Sequence, residues 1–482
     1  MNARAVIHII SFLLVVVGVA MGVCFAAAVY FHDPAPARFG LMVSAAATLI
    51  SGLAAWLATR GEHELSWRDG IGVGTIGWLA VALFGSLPYL LSGVIPGFVS
   101  ALFETVSGFT TTGASVIAVV EPVPKGILLW RATTHFLGGM GVLVLCVAVL
   151  PFLGVGGMQL YRAEVAGPSK DRLTPRIANT AKLLWGVYVL LCVLEILMLR
   201  VGRMGWFDAV CHSFATIATG GFSTRTASIA AYHSLYIECV TVAFMLLGAT
   251  NFALHYAALR GDLRGYARDS EFRFFAGLWI IACTIVTLNT WHTTYASAGA
   301  ALRNSVFSVT SLMTTTGFST ANFDQWPATS RIVLLLVMVI GGCVGSTAGG
   351  IKHLRVDVAV KKIARRVKLF MYPQAVVQIK MNREPVDEDI ISNILGFIIL
   401  YVIALAIASV IMTAFTKDML SAISAVIATM GGVGPGLGLV GPTMNYATIP
   451  AAGKIVLMLC MLLGRLEFYT LLALFFPSFW KK

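Results

Sequence analysis

The 482-residue chain is 58% hydrophobic and only 12% charged, with a mean hydropathy of +0.85. A water-soluble protein of this length must solvate its surface with far more charge, so a soluble enzyme or scaffold is excluded. The net charge of +12 does not indicate nucleic acid: the basic residues cluster in alternate short loops beside apolar segments, the pattern that sets orientation in a membrane.

Apolar runs long enough to cross a hydrocarbon core, about 20 residues each, recur from end to end. Residues 6–30 carry no small-residue cleavage site with a polar sequel, and a second run, 39–58, follows closely. Both are therefore expected to be retained helices rather than a signal peptide. Beyond them the chain repeats itself. Four short runs rich in Thr, Ser and Gly follow segments too short to span a bilayer. The first holds Thr110, Thr111, Thr112 and Gly113; the second Thr219, Gly220 and Gly221; the third Thr315, Thr316 and Gly317. The fourth is divergent, with Gly432, Val433 and Gly434 in the equivalent place and Gly431 and Gly432 as alternative registers to Gly434. Full apolar runs bracket them: 71–91 and 127–153, 178–199 and 234–259, 272–290 and 332–360, 391–415 and 451–476.

The expected architecture is an all-α polytopic membrane protein. It has four parallel helix–re-entrant helix–helix repeats around a pseudo-fourfold pore, plus two N-terminal transmembrane helices. In residue numbers the leading pair is 1–69 and the pore repeats are 70–160, 161–260, 261–385 and 386–482. With both termini inside and each polar turn entering from outside, the inner side holds most of the Lys and Arg. The loop 352–383 alone has nine basic residues and one acid, Asp357. The eight cysteines, such as Cys24, Cys146 and Cys460 among Val, Leu and Met, read as small buried hydrophobes.

Irregular polar backbone is tolerated at membrane depth only where it lines a water-filled path. Four such stretches on one axis can present rings of carbonyl oxygens that replace the hydration shell of a cation. Glycine permits the backbone angles this requires, and Thr hydroxyls can add ligands or brace the turn. On these four runs, and over essentially its whole length including the two leading helices, the chain resembles the TrkH membrane subunits of bacterial Trk potassium uptake systems, related to KtrB and plant HKT proteins. The resemblance implies a selectivity filter for K+ at Gly113, Gly221, Gly317 and Gly434, with glycine rather than serine at the first position going with potassium over sodium. It also implies a bacterial inner-membrane location, a homodimer with one pore per protomer, and a cytosolic ring of TrkA-like nucleotide-binding regulatory subunits. No Rossmann fingerprint lies in this chain, and no organic cofactor is expected on it.

The last apolar run of the third repeat is crowded with glycine, including Gly345, Gly349 and Gly350 beside Ser346, Thr347 and Lys352. Each helical glycine costs about 1 kcal/mol relative to alanine, so a break is expected, with a tight small-residue helix contact as the alternative. The resemblance implies an intramembrane loop beneath the filter that obstructs conduction and moves on gating, with Arg465 projecting towards it. An arginine in mid-span needs a partner, a carbonyl or Glu467, and a buried ion pair joining helices is the other option. Glu104 is expected to pair with a neighbouring helix, and His135 and His212 to be satisfied core residues. Glu195 and Glu238 are expected to be solvated at outer span ends, and Asn251 and His255 to line the inner vestibule. Proton symport would need a buried carboxylate relay, and none is evident. An alternating-access carrier uses broken helices too, but around inverted or two-fold repeats rather than four parallel ones. A sodium-permeable transporter is the other alternative. A membrane enzyme would need a nucleophile–base or metal constellation, which the sequence does not offer.

Overall fold

The computed structural model describes residues 2–61, 66–139, 141, 177–382, 384–466, 468, 472, 476 and 477. The expected span over 142–153, Cys146, and Glu467 with most of the tail beyond it lie outside the described residues. The chain begins with α1 (Ala3–Tyr30) and α2 (Ala35–Ala58), an antiparallel pair, followed by α3 (Trp67–Gly85) and the short α4 (Leu87–Leu91). Then come α5 (Phe98–Phe109), α6 (Lys125–Gly139), α7 (Ile177–Val201) and α8 (Trp206–Ile217). Next are α9 (Leu235–Gly248), α10 (Phe252–Leu259), α11 (Arg264–Arg268), α12 (Ser270–Thr290) and α13 (Ala298–Met313). The remainder is α14 (Ala328–Ile340), α15 (His353–Met371), the hairpin β1 (Lys380–Met381) and β2 (Glu384–Pro385), α16 (Glu388–Thr413), α17 (Met419–Met430) and α18 (Ala451–Leu466).

Six of the described helices are long and apolar enough to cross a membrane. Their outward faces, for example Val193 and Leu197 on α7 and Ile399 and Val410 on α16, are bare hydrocarbon, as a lipid solvent allows. The four short helices α5, α8, α13 and α17 behave oppositely. At 12 to 16 residues they reach about 18–24 Å, less than a bilayer core, and nearly every residue of their C-terminal halves is buried. Helices this short and this enclosed enter the protein and stop inside it.

Two expected spans are broken. The run 234–259, read from sequence as one helix, is two: α9 and α10 are bent by 103° at a short break. Asn251 opens α10 as its N-cap and accepts the Ala253 N–H at 2.9 Å. The run 332–360 is interrupted between Ile340 and His353, where Gly341, Gly345, Gly350 and Lys352 all have positive φ. Six of the seven described cysteines are buried and free, and Cys239 on α9 is exposed, against expectation.

Candidate ion pathway

The four short helices end in the same way. In each, the residue two past the last helical one takes a left-handed φ: Thr111 at 55°, Thr219 at 53°, Thr315 at 56° and Gly432 at 70°. The following N–H then reaches back five residues: Thr112 to Ser107 O (2.9 Å), Gly220 to Ala215 O (2.8 Å), Thr316 to Ser311 O (2.8 Å) and Val433 to Ala428 O (2.8 Å). This is the Schellman closure, which satisfies the last carbonyls of a helix and turns the chain sharply away. Three of the four left-handed residues are β-branched, at a cost of about 1–2 kcal/mol each. The closing hydrogen bonds and complete burial hold them there.

Beyond the turn the four strands of main chain meet. Gly113, Gly221, Gly317 and Gly434 have φ of 76°, 79°, 83° and 92°, and each lies against the carbonyl of the next repeat. A Cβ on Gly113 would fall 2.0 Å from Gly220 O, one on Gly221 2.0 Å from Thr316 O, one on Gly317 2.0 Å from Val433 O, and one on Gly434 2.6 Å from Thr112 O. The order runs from the first repeat to the fourth and back, so the ring closes. Gly434, not Gly431 or Gly432, is the geometric counterpart of the other three glycines. Gly432 matches Thr111, Thr219 and Thr315 instead, and Gly431 caps its helix as Thr110 does. All four ring glycines line one cavity of about 120 Å³ on the side away from the helix ends, together with Arg131 and Tyr446.

Side chains behind the ring fix its shape. In the first and third repeats Thr110 and Thr112, and Thr314 and Thr316, join hydroxyls at 2.8 Å. In the second repeat the His135 ring fills that space: a Cβ on Gly220 would lie 2.5 Å from its Nδ1, and the ring stacks on Phe222. In the fourth, Tyr446 donates its hydroxyl to Gly434 O at 2.6 Å. Glu104 pairs with Arg131 at 2.8 Å and also accepts the Val116 N–H, while Arg131 reaches Ser223 O and lies 4.0 Å over the Phe222 ring. A buried charge pair so fully hydrogen-bonded ties the first repeat to the second above the ring. Further out, exposed Glu121 accepts from the Thr226 hydroxyl and from its N–H at 2.8 Å, and these bonds hold its carboxyl below the usual range.

On the other side of the ring, the loop between α14 and α15 touches three repeats directly and is joined to the first through Arg465. Thr347 donates to Ile217 O at 2.8 Å, at the end of α8, and lies 3.3 Å from the Thr219 hydroxyl. Gly349 N–H donates to the Thr315 hydroxyl at 2.8 Å. A Cβ on Gly349 would sit 2.3 Å from Gly431 O, so the loop also lies against the end of α17. Arg465 completes the circle: its guanidinium donates to Thr347 O at 3.0 Å, to Gly139 O at 2.9 Å and to Gly138 O, joining the loop to α6 of the first repeat. Ser346 bonds back to Cys343 O and Lys352 to Ala348 O within the loop. Carbonyls thus partner Arg465. Two glycines inside the neighbouring long helices, Gly138 on α6 and Gly464 on α18, lie against the ends of α5 and α17, where a side chain has no room. A Cβ on Gly138 would be 1.9 Å from Phe109 O, and one on Gly464 2.1 Å from Met430 O.

Several expectations are corrected. Glu195 is not at a solvated interface but is completely buried on α7, and Glu238 is buried and paired with Arg303 through two bonds of 2.7 Å. Both helices are covered at these positions by neighbours whose packing their own hydropathy does not report. Asn251 serves as a helix cap and His255 is buried, bonded to Leu247 O and Tyr266, so the two do not form a vestibule face. His212 is satisfied by Asp208 O and Ser223, but neither His135 nitrogen has a hydrogen-bond partner among the described residues. Arg131, Tyr446 and Glu271 carry important contacts that sequence reasoning missed. An arginine inside an apolar stretch was the available signal for the first of them.

The family model described as "TrkH: Cation transport protein" matches residues 39–482. The chain is 40% identical to the "Trk system potassium uptake protein TrkH" of Halomonas elongata and 39% identical to that of Escherichia coli, each over the full length of both proteins. The crystal structure of the potassium transporter TrkH from Vibrio parahaemolyticus superposes with a TM-score of 0.89 at 36% identity, covering 100% of both chains.

Proposed function

The chain belongs to the TrkH family of cation transport proteins, and from that premise we propose that it conducts potassium across a bacterial inner membrane through the glycine ring. The observation that carries this reading is the closed contact order of Gly113, Gly221, Gly317 and Gly434 with the carbonyls of Gly220, Thr316, Val433 and Thr112. Main-chain oxygens of four repeats brought to one axis are suited to exchange with the hydration shell of a monovalent cation, with no fixed carboxylate to trap it. Thr110, Thr111, Thr112, Thr219, Thr315 and Thr316 act as braces or added ligands. A negative interior draws the ion in, worth about 2.3 kcal/mol per charge at 100 mV.

The loop holding Gly345, Ser346, Thr347, Gly349, Gly350 and Lys352 is the gate, and Arg465 its lock. A guanidinium beneath an ion queue repels the next cation while its hydrogen bonds fasten the loop to the first repeat. Both termini face the cytoplasm, where the basic segment 352–383 meets a TrkA-like nucleotide-binding subunit, and two protomers associate with a pore each. Rescue of a potassium-uptake-deficient bacterium on low potassium tests the function. The native chain restores growth, and Gly113→Ser restores it with loss of preference for potassium over sodium. Failure of the native chain to rescue, with the protein and its partner present in the membrane, refutes the proposal.

A further inference from the structure

Two N–H groups on either side of the stretch 345–353 meet at one atom. Glu271, the second residue of α12, accepts the Val344 N–H at 2.7 Å and the Leu354 N–H at 3.0 Å on the same oxygen, Oε1. Val344 is the fourth residue past the end of α14, just before Gly345, and Leu354 is in the first turn of α15, so the two flank the stretch 345–353. That turn needs an acceptor, because its N-cap is Lys352, which makes no side-chain cap and has φ of 82°. A carboxylate from another helix supplies the acceptor and adds charge complementarity to the positive end of α15. The side chain is 5% exposed, so water does not compete for these bonds.

We propose that Glu271 is a positioning residue that latches the loop in its obstructing conformation, a proposal that rests on the gate reading above. One carboxylate oxygen holds Val344 and Leu354, on either side of the stretch 345–353, at a fixed separation, so that stretch cannot swing clear of Thr315 and Ile217 until at least one of these bonds breaks. The latch is also reachable from the cytoplasm. Immediately before Glu271, Ser270 N–H donates to the Asn382 side chain at 2.7 Å, and Asn382 donates to Asp269 at 3.0 Å. Asn382 sits in the turn between β1 and β2, and Lys361 of α15 reaches the carbonyl of Lys380 on β1. A pull on this hairpin is therefore transmitted, through two residues of backbone, to the atom that clamps the loop.

The test is rubidium-86 uptake into proteoliposomes holding the full-length chain without its partner, normalised to folded protein. Glu271→Ala raises basal uptake by about tenfold, the change expected if the closed state loses one bond to a charged acceptor that the open state lacks. Glu271→Gln, whose carbonyl oxygen can take both N–H groups, stays close to the parent. If the alanine variant does not fold, Glu271→Asp replaces it: the charge is kept, the reach is shortened, and uptake rises while Gln stays tight. A residue needed only for folding would lower the yield and leave uptake per folded molecule unchanged. Uptake equal to the parent in the Ala or Asp variant, with Arg465→Ala leaking, overturns the latch and leaves the gate standing. No leak in any of these variants, Arg465→Ala included, overturns the gate and the latch with it.

Discussion

Gly432 and Gly434 give the sharpest test of the ring, because they are two residues apart and only one of them meets main chain of another repeat. Both have positive φ, so alanine costs at least about 1–2 kcal/mol at either, and more at Gly434, whose 92° lies beyond the left-handed region, than at Gly432 at 70°. They differ in what a methyl group meets. At Gly432 the nearest atom is Gly349 Cα at 3.9 Å, an ordinary contact. At Gly434 the methyl would lie 2.6 Å from Thr112 O, 2.9 Å from Gly113 C and 3.1 Å from Gly113 O, all main chain of the first repeat. To restore normal contact the ring must open by about 0.5–1 Å, more than the roughly 0.5 Å tolerance of a preorganised site. Gly434→Ala is thus expected to reduce rubidium uptake and to erode the rubidium-to-sodium ratio, at about tenfold or more. Gly432→Ala should keep the ratio, since threonine occupies the matching position in the other repeats at φ of 53–56°. Uptake of both ions by purified variants in proteoliposomes, with thermal unfolding as a control for folding, decides it. Equal loss of selectivity in the two variants would falsify the assignment of Gly434 to the ring.

Other consequences follow from the same contacts. Arg465→Ala should raise basal rubidium leak by at least tenfold, and Arg465→Lys should not restore closure, because one ammonium cannot span the Thr347, Gly138 and Gly139 carbonyls as a planar fork does. An Arg465→Lys variant as tight as the parent removes the geometric part of that argument. Glu104→Ala leaves Arg131 buried without its counter-charge and should destabilise the protein by about 3–5 kcal/mol, read as a lowered unfolding temperature in detergent. A change below about 1 kcal/mol would show the pair to be dispensable. At the outer rim the Glu121 carboxyl has its pKa lowered by the Thr226 hydroxyl and N–H. Its contribution is therefore complete above the unfolded value of 4.5 and fades as pH falls through the lowered folded value. Amide exchange around residues 118–122 and 226 should accelerate below that point, and Glu121→Gln should flatten the dependence. An unchanged profile in that variant would assign the transition to another group.

How much of this was visible in the residues differs by element. Hydropathy alone marked the long helices, since about 20 apolar residues have few alternatives to crossing a bilayer. The Thr- and Gly-rich runs after short segments marked three of the four turns. The glycine run after Ile340 marked the break, because glycine makes a helix costly there. In the fourth run Gly434 was preferred from sequence, but Gly431 and Gly432 competed and composition could not exclude them. The ranking came from the left-handed turn at Gly432 and from contact with Thr112 O, a residue more than 300 positions away.

The sequence by itself determined that this is a helical membrane protein with four related polar turns, because periodicity and hydropathy are local properties of the chain. Only the tertiary structure decided that Glu195 is enclosed rather than wet, that Arg465 grips carbonyls of two different elements, and that Glu271 holds Val344 and Leu354 together. Each of those facts is a relation between segments far apart in sequence. Burial and hydrogen-bond partnership are set by what packs against a residue, which its own neighbours along the chain do not specify.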